Sequence, residues 1–213
     1  MKINTLILAG LFVFGTFVQA AVTSPVEFGS KTTTKIKDVA LSENVKLTNG
    51  ATSSQLKRVA SGLRYKKVAF ITANVYVGQL FSNVKVDQSS LSSIQDSLAK
   101  NPPSVMTLTF LRDVGAEKLS NGFKETLSEN KVKIDQEPFN QFLETVKTAG
   151  DMKEGESYAL VFGSNSFSFS AHGKEFYHLD QASSEILNSL MMIWFGKAPD
   201  SGLESLQKDL LKP

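Results

Sequence analysis

The spacing of apolar residues changes along this chain, and that change limits the folds open to it. Between residues 115 and 150 apolar side chains recur every three to four residues, as on one face of an α-helix. Between residues 157 and 178 they fall in short runs with a period of two, separated by turn residues. The pattern predicts an α+β fold in which an antiparallel sheet packs against a layer of helices.

The predicted strands lie on both sides of the first helices. Residues 45–81 are rich in β-forming side chains, and Asn49-Gly50 within them is typical of a tight hairpin turn. Both alternating sets of residues in 68–77 are largely apolar, so we expect this stretch to be a strand covered on both faces. Further strands are predicted at 105–112, 157–162, 166–171 and 174–178.

Five helices complete the pattern, and their ends coincide with serine, proline or glycine. They are predicted at 87–98, 115–130, 138–150, 183–195 and 201–211. No internal repeat or linker divides the chain. We therefore expect one domain over residues 40–213, preceded by an extended lead-in over residues 21–39.

Residues 1–20 have the features of a secretory signal peptide. Lys2 precedes an apolar stretch from Leu6 to Val18, and Ala20 supplies a small residue at the cleavage site. The stretch is short for a transmembrane helix, although an uncleaved anchor is the alternative. We expect a mature, monomeric protein of 193 residues that is exported to a bacterial periplasm, without stable membrane insertion after cleavage.

Several function classes are excluded by what the chain lacks. It has no cysteine, which excludes disulfides, thiolate-bound zinc and a thiol nucleophile. Its two histidines, His172 and His178, flank a predicted turn at Gly173 and are interpreted as surface residues, so we expect no metal and no cofactor. A formal net charge of +2 gives no reason to expect nucleic-acid binding.

Basic residues are concentrated in one segment. Between Lys31 and Lys67 the chain has nine basic residues against two acidic ones, Asp38 and Glu43. This segment forms either a patch that attracts anions or a solvated sheet surface, and the sequence leaves both readings open.

Five short segments carry a resemblance to a known family. In their order and spacing they resemble the chalcone isomerase superfamily, and most of all its bacterial, exported chalcone isomerase-like branch, over roughly residues 40–212. The resemblance implies an α+β fold with a ligand cleft between the sheet and the helices. The segments are Gly62–Lys67, Val75–Phe81, Phe110–Leu119, Ser184–Ser189 and Trp194–Gly196.

The resemblance assigns a ligand-binding role to Arg64 and Tyr76. Arg64 matches the family's key arginine, and Tyr76 stands where the enzymes have a catalytic threonine. The pair resembles the arginine–tyrosine pair that the fatty-acid-binding branch uses to hold the ligand carboxylate. A guanidinium and a phenol together suit a carboxylate. Twelve residues of straight strand would separate the two by about 40 Å. We therefore expect the chain to bend between them, at Lys66-Lys67 or Ala73-Asn74, and both groups to converge at the closed end of an apolar cleft.

Catalysis is less well supported by the same comparison. Gly115 falls where the enzymes have a tyrosine, so one hydroxyl that would orient water is missing. Arg112 is interpreted as the ion-pair partner of Asp113. If the chain is an enzyme, the resemblance implies a site made of Arg64, Tyr76, Asn121 and Ser184, or its neighbour Ser183.

Three functional hypotheses follow. The first is a non-catalytic periplasmic protein that binds a fatty acid or similar amphipathic carboxylate through Arg64 and Tyr76. The second is an intramolecular lyase or isomerase of chalcone type acting on an enone or phenolic substrate, in which Arg64 stabilises a substrate anion. The third is a cell-envelope structural or interaction protein with a vestigial cleft, in which Arg64 is turned to solvent or paired with an acidic residue.

Overall fold

The computed structural model describes residues 23–212, and the signal peptide predicted at 1–20 lies outside them. Ten strands and five helices occur within this range. The strands are β1 (Val26–Phe28), β2 (Lys31–Ile36), β3 (Val39–Ser42), β4 (Asn44–Asn49), β5 (Thr52–Val68), β6 (Ile71–Ser82), β7 (Ser104–Phe110), β8 (Ser157–Phe162), β9 (Phe167–Ala171) and β10 (Lys174–Leu179). The helices are α1 (Leu91–Lys100), α2 (Ala116–Glu129), α3 (Phe139–Thr148), α4 (Ser184–Phe195) and α5 (Ser201–Leu210).

Over residues 23–212, eight strands form one curled antiparallel sheet in the order β1-β4-β5-β6-β7-β8-β9-β10. The helices pack against it, so the predicted α+β fold is confirmed. The lead-in predicted at 21–39 contributes two of the strands. β1 pairs with β4 at the edge of the sheet, and β2 pairs with β3 as a separate ribbon.

The predicted helices are found close to their expected positions, since capping residues mark their ends. Ser90 and Ser183 cap α1 and α4 by accepting hydrogen bonds from the Ser93 and Ile186 backbone N–H groups. The predicted turn at Asn49-Gly50 joins β4 to β5, and Gly50 has a φ of 56°, a conformation that glycine adopts without steric cost.

The expectation of a strand buried on both faces over 68–77 is wrong. The chain reverses at Ala69-Phe70, and Phe70 and Ile71 are exposed at the tip of the β5–β6 hairpin. The expected bend exists but lies neither at Lys66-Lys67 nor at Ala73-Asn74. The turn escapes sequence analysis because Ala69 has a φ of 51°, a region in which glycine and asparagine are the usual residues.

A large apolar core fills the space between the sheet and the helices. It includes Phe123 of α2 and Trp194 of α4, whose rings meet edge to face at 5.9 Å. A smaller cluster lies apart from this core and consists of Val45, Leu47, Leu56, Phe81, Val105 and Val161.

Helix α5 packs closely on β5 because glycine leaves room for it. Gly62 and Gly78 are directly opposite each other on β5 and β6. A methyl group on Gly62 would lie 2.6 Å from the Asp209 Cβ and 2.9 Å from a Leu206 methyl. This close approach brings the N-terminus of α5 to the part of β5 that carries Arg64.

Candidate functional site

A cavity of about 570 Å³ opens between the β5–β6 hairpin and helices α2, α4 and α5. Its volume lies in the range typical of small-molecule sites. Apolar side chains and glycines form much of its wall, and charged side chains form the rest. The lining residues are Arg64, Lys66, Ala73, Val75, Tyr76, Arg112, Asp113, Val114, Gly115, Lys118, Leu119, Asn121, Gly122, Phe123, Glu125, Thr126, Ile193, Pro199 and Leu203.

Arg64 and Tyr76 are direct cross-strand partners on β5 and β6, and both line the cavity. Opposite residues of antiparallel strands project to the same face of the sheet, which brings these side chains together. The register shifts next to them, because Tyr65 pairs with Asn74 and leaves Val75 as an extra residue. Such a bulge re-aims side chains, so Val75 and Tyr76 both reach the cavity although they are adjacent in sequence.

Arg64 is already paired with an acidic residue. Its Nη2 lies 2.7 Å from Asp200 Oδ2, and its Nη1 donates to the Tyr65 backbone carbonyl. Lys66 Nζ lies 2.7 Å from the same Asp200 oxygen. We call Arg64, Lys66 and Asp200 the Asp200 cluster. The Arg64 and Asp200 side chains are only 13% and 22% exposed, so their charges are held partly out of water.

Asp200 also caps helix α5. Its Oδ1 accepts hydrogen bonds from the Gly202 and Leu203 backbone N–H groups, each at 3.0 Å. Burial alone would raise the pKa of Asp200, but hydrogen bonds from Lys66, the Leu203 N–H and Arg64 lower that pKa to about 2. The carboxylate is therefore charged at neutral pH, and one residue links the helix end to the cationic side chains of β5.

Tyr76 is almost fully buried, and its ring packs edge to face on Phe110 at a centroid distance of 6.0 Å. Burial raises the pKa of its hydroxyl, an effect that the nearby Arg64 guanidinium only partly opposes. Tyr76 is thus a neutral phenol at physiological pH. The buried Trp194 Nε1 has no hydrogen-bond acceptor among residues 23–212.

The exposed side of the cavity carries Arg112, Lys118 and Asn121, which we call the rim, and also the carboxylates of Asp113 and Glu125. The predicted ion pair between Arg112 and Asp113 is wrong. Asp113 pairs with Lys153 instead, at 2.8 Å, because the loop before β8 brings Lys153 to its carboxylate. No carboxylate of residues 23–212 lies within 4 Å of the basic groups of Arg112 or Lys118.

The other residues that the resemblance assigns to a catalytic site are not all brought together. Gly115 lines the cavity at the start of α2, where it offers no hydroxyl. Ser184 and Ser183 do not line the cavity. They lie at the start of α4, whereas Ile193 near its end does line it, and nine helical residues span about 14 Å.

The basic segment 31–67 does not converge on the cavity. Of its nine basic residues only Arg64 and Lys66 line the wall, and both are paired with Asp200. Neither histidine lines the cavity. His172 lies 3.1 Å from Glu156, and His178 is exposed.

Sequence analysis missed Asp200, although one signal for it was present. An aspartate directly before an amphipathic segment is a common helix N-cap. That signal identifies the cap but not the ion pair, since Asp200 and Arg64 are 136 positions apart.

The described part of the chain lacks two further features. No group of three or more potential metal ligands occurs within residues 23–212. Over the same range, no helix has both the length and the apolar character needed to span a membrane.

The chain is similar in sequence to a known family and in fold to a solved structure. The model of a family described as chalcone isomerase-like matches residues 33–212. Among solved structures, a fatty-acid binding protein of Arabidopsis thaliana is similar, with a TM-score of 0.57 and 14% sequence identity over 78% of this chain and 95% of that one. A search of curated proteins found no match.

Proposed function

The chain belongs to the chalcone isomerase-like family, and from this premise we propose that it binds a small amphipathic carboxylate, such as a fatty acid, in the cavity beside Arg64 and Tyr76. The observation that carries the proposal is the cross-strand pairing of Arg64 with Tyr76 at the wall of one cavity. A guanidinium has five N–H donors, so Arg64 keeps donors free beyond those used by Asp200 and Tyr65. The apolar wall would hold the ligand tail. The similarity in fold to a protein named as a fatty-acid binder supports this choice of ligand.

Binding measurements can test the head group separately from the tail. We expect the purified protein to bind a fatty acid more tightly than the alcohol of equal chain length, because only the acid presents a carboxylate. Arg64→Ala should weaken binding of the acid by about tenfold or more and leave binding of the alcohol nearly unchanged. Lys67→Ala is the matched control, since Lys67 is exposed and does not line the cavity. Equal binding of acid and alcohol by the wild type would contradict the proposal.

The hydroxyl of Tyr76 can be tested in the same way. Tyr76→Phe should weaken binding of the acid severalfold, because one neutral hydrogen bond is worth about 1 kcal/mol. Tyr158→Phe is the matched control, since Tyr158 is another fully buried tyrosine and does not line the cavity.

Native mass spectrometry of the protein purified from its host would show whether a lipid co-purifies.

Catalysis of chalcone type is the second candidate, and one observation favours it. Arg64, Tyr76 and Asn121 all line the cavity. Gly115 in place of a hydroxyl, and the distance of Ser184 from the cavity, weigh against it. Turnover of a chalcone above the spontaneous rate, abolished by Arg64→Ala, would favour the enzyme over the binding protein.

The third hypothesis, an envelope protein with a vestigial cleft, has one supporting observation. Arg64 is paired with Asp200, as that hypothesis expects. The open cavity of about 570 Å³ weighs against it, because a vestigial cleft would be filled by side chains. If the protein bound neither fatty acids nor phenolic compounds, even at high ligand concentration, the result would favour this hypothesis.

We further propose that the protein belongs to the exported branch and acts in the periplasm. The proposal depends on Lys2, the apolar stretch Leu6–Val18 and the small residue Ala20. Fractionation of the native host and N-terminal sequencing of the mature protein would test it. A mature N-terminus at residue 21 is expected, and recovery of the uncleaved chain from the cytoplasm would contradict it.

A further inference from the structure

The β5–β6 hairpin projects beyond the rest of the sheet. β6 pairs with β7 only from Tyr76 to Ser82, whereas β6 itself begins at Ile71. Five residues of strand correspond to about 16 Å, so the turn extends that far past the last residue pair shared with β7. The stem of this projection lines the cavity through Lys66, Ala73 and Val75.

The tip of the hairpin is apolar and exposed. Phe70 is 102% exposed and Ile71 is 72% exposed, compared with 38% for Phe176, the other large apolar side chain exposed within residues 23–212. A tight turn usually takes glycine, asparagine or aspartate, but this one has Ala69 and Phe70, with Ala69 at a φ of 51°. Turn chemistry therefore does not explain the choice of residues. Exposed apolar side chains that the fold does not require are typical of a surface that contacts an apolar partner or phase.

Exposed basic side chains lie on the projection and near it. Lys67 is exposed directly opposite Thr72, two positions from the turn. Arg112 and Lys118 are exposed at the rim, and the Leu111 N–H donates to the Val75 carbonyl, which ties this region to the hairpin stem. None of the three basic groups has a carboxylate of residues 23–212 within 4 Å.

Three carboxylates beside the hairpin stem and the cavity are each paired with a basic group. Asp200 binds Arg64 and Lys66, and Glu125 lies 3.8 Å from Lys66. Asp113 pairs with Lys153. An approaching surface therefore meets the two apolar side chains of the tip first and the unpaired cation of Lys67 directly behind them.

We propose that the hairpin tip docks on the surface of an anionic lipid bilayer. Phe70 and Ile71 would enter the boundary between headgroups and acyl chains, and Lys67 would meet the lipid phosphates. A bilayer fits better than a protein partner, because two side chains at the end of a narrow projection offer much less area than a specific protein interface buries. The docking is separate from the proposed function and does not require a ligand in the cavity.

Vesicle flotation with the mature chain tests the proposal. Vesicles of equal parts phosphatidylglycerol and phosphatidylcholine should bind the wild type, and vesicles of phosphatidylcholine alone should bind it more weakly. The double variant Phe70→Ser/Ile71→Ser should bind the anionic vesicles at least about tenfold less tightly. It loses most of the favourable free energy of transferring apolar surface from water into the bilayer. Phe176→Ser is the matched control and should bind like the wild type, since Phe176 is on β10, four strands away from β6.

A second variant reports on insertion directly. Phe70→Trp places a fluorophore at the tip, while Trp194 is fully buried and supplies a constant background. The fluorescence emission of the introduced tryptophan should shift to shorter wavelength when anionic vesicles are added, and brominated lipids should quench it. Vesicle binding unchanged in the double variant, an unshifted tip tryptophan, or a tip-dependent dimer without vesicles would each overturn the proposal. The double variant should still bind ligand in solution as the wild type does, so failure of docking and failure of carboxylate binding are distinguishable.

Discussion

The Asp200 cluster and the rim are two groups of charged residues on one cavity, and they differ in how their charge is balanced. In the Asp200 cluster, Arg64 and Lys66 share one carboxylate at 2.7 Å each. At the rim, Arg112 and Lys118 have no carboxylate of residues 23–212 within 4 Å. Arg64, which is expected to bind the ligand, is thus already paired with Asp200 in the folded protein. An arginine in a cavity attracts an anion only as far as its charge is still available.

This difference separates two ways of holding a carboxylate. A ligand at Arg64 must share that residue with Asp200 and accept the repulsion of a neighbouring negative charge. A ligand at the rim meets uncompensated cations, but in contact with water, where each ion pair is weak. Variants of the Asp200 cluster and of the rim distinguish these two modes of binding.

The largest expected effect is on folding. Asp200→Ala removes the cap of α5 and leaves Arg64, 13% exposed, without its carboxylate. We expect the free energy of unfolding to fall by about 2–3 kcal/mol. Urea denaturation would measure it. Asp113→Ala removes an exposed ion pair and is the control, for which we expect little change. Similar effects of the two variants would show that the Asp200 cluster stabilises the fold no more than a surface pair does.

The next effect concerns ligand affinity. Asp200→Asn keeps a side-chain oxygen that can cap α5 but removes the negative charge next to Arg64. If the ligand carboxylate lies at Arg64, this variant should bind fatty acids about tenfold more tightly, because a like charge has been removed. Isothermal titration of the acid and the matching alcohol would measure it. An unchanged affinity for the acid would place its head group away from the Asp200 cluster.

A smaller effect is expected from pH. The pKa of Asp200 in the folded protein is about 2, below the ordinary value of 3.8. Its contribution is therefore complete above pH 3.8 and is lost as the pH falls towards 2. Because Asp200 is partly exposed, we expect this contribution to be about 1 kcal/mol.

Comparison of the wild type with Asp200→Asn isolates this contribution from those of other carboxylates. The difference in unfolding free energy between the two proteins should shrink over that acidic range. A constant difference would indicate that the charge of Asp200 does not stabilise the fold.

The smallest effect is expected at the rim. Arg112→Ala combined with Lys118→Ala should slow association of an anionic ligand severalfold, and added salt should abolish the difference, because both side chains are exposed. Stopped-flow measurements at low and high salt would test this. A loss of affinity greater than that of Arg64→Ala, and insensitive to salt, would instead make the rim the head-group site.

The fold was largely predictable because its signals are local. The serine cap of α4, the apolar stripe of α2 and the period of two in β8–β10 are properties of neighbouring residues, and these elements are found where they were predicted. The hairpin turn at Ala69-Phe70 was misplaced because its residues are not turn formers, and the exposure of Phe70 contradicts the rule that apolar runs are buried.

The sequence was sufficient to assign the family, the five helices and the strands β7–β10, and it singled out Arg64 and Tyr76, which line the cavity together. The partner of Arg64, in contrast, depends on long-range packing. Asp200 reaches it across 136 positions because α5 packs closely on Gly62, and because Gly202 has no side chain to overlap the Tyr65 carbonyl and the Arg64 guanidinium. Elements follow from contacts within a few residues, whereas the balance of a partly buried charge depends on which distant segments the fold brings within about 3 Å of each other.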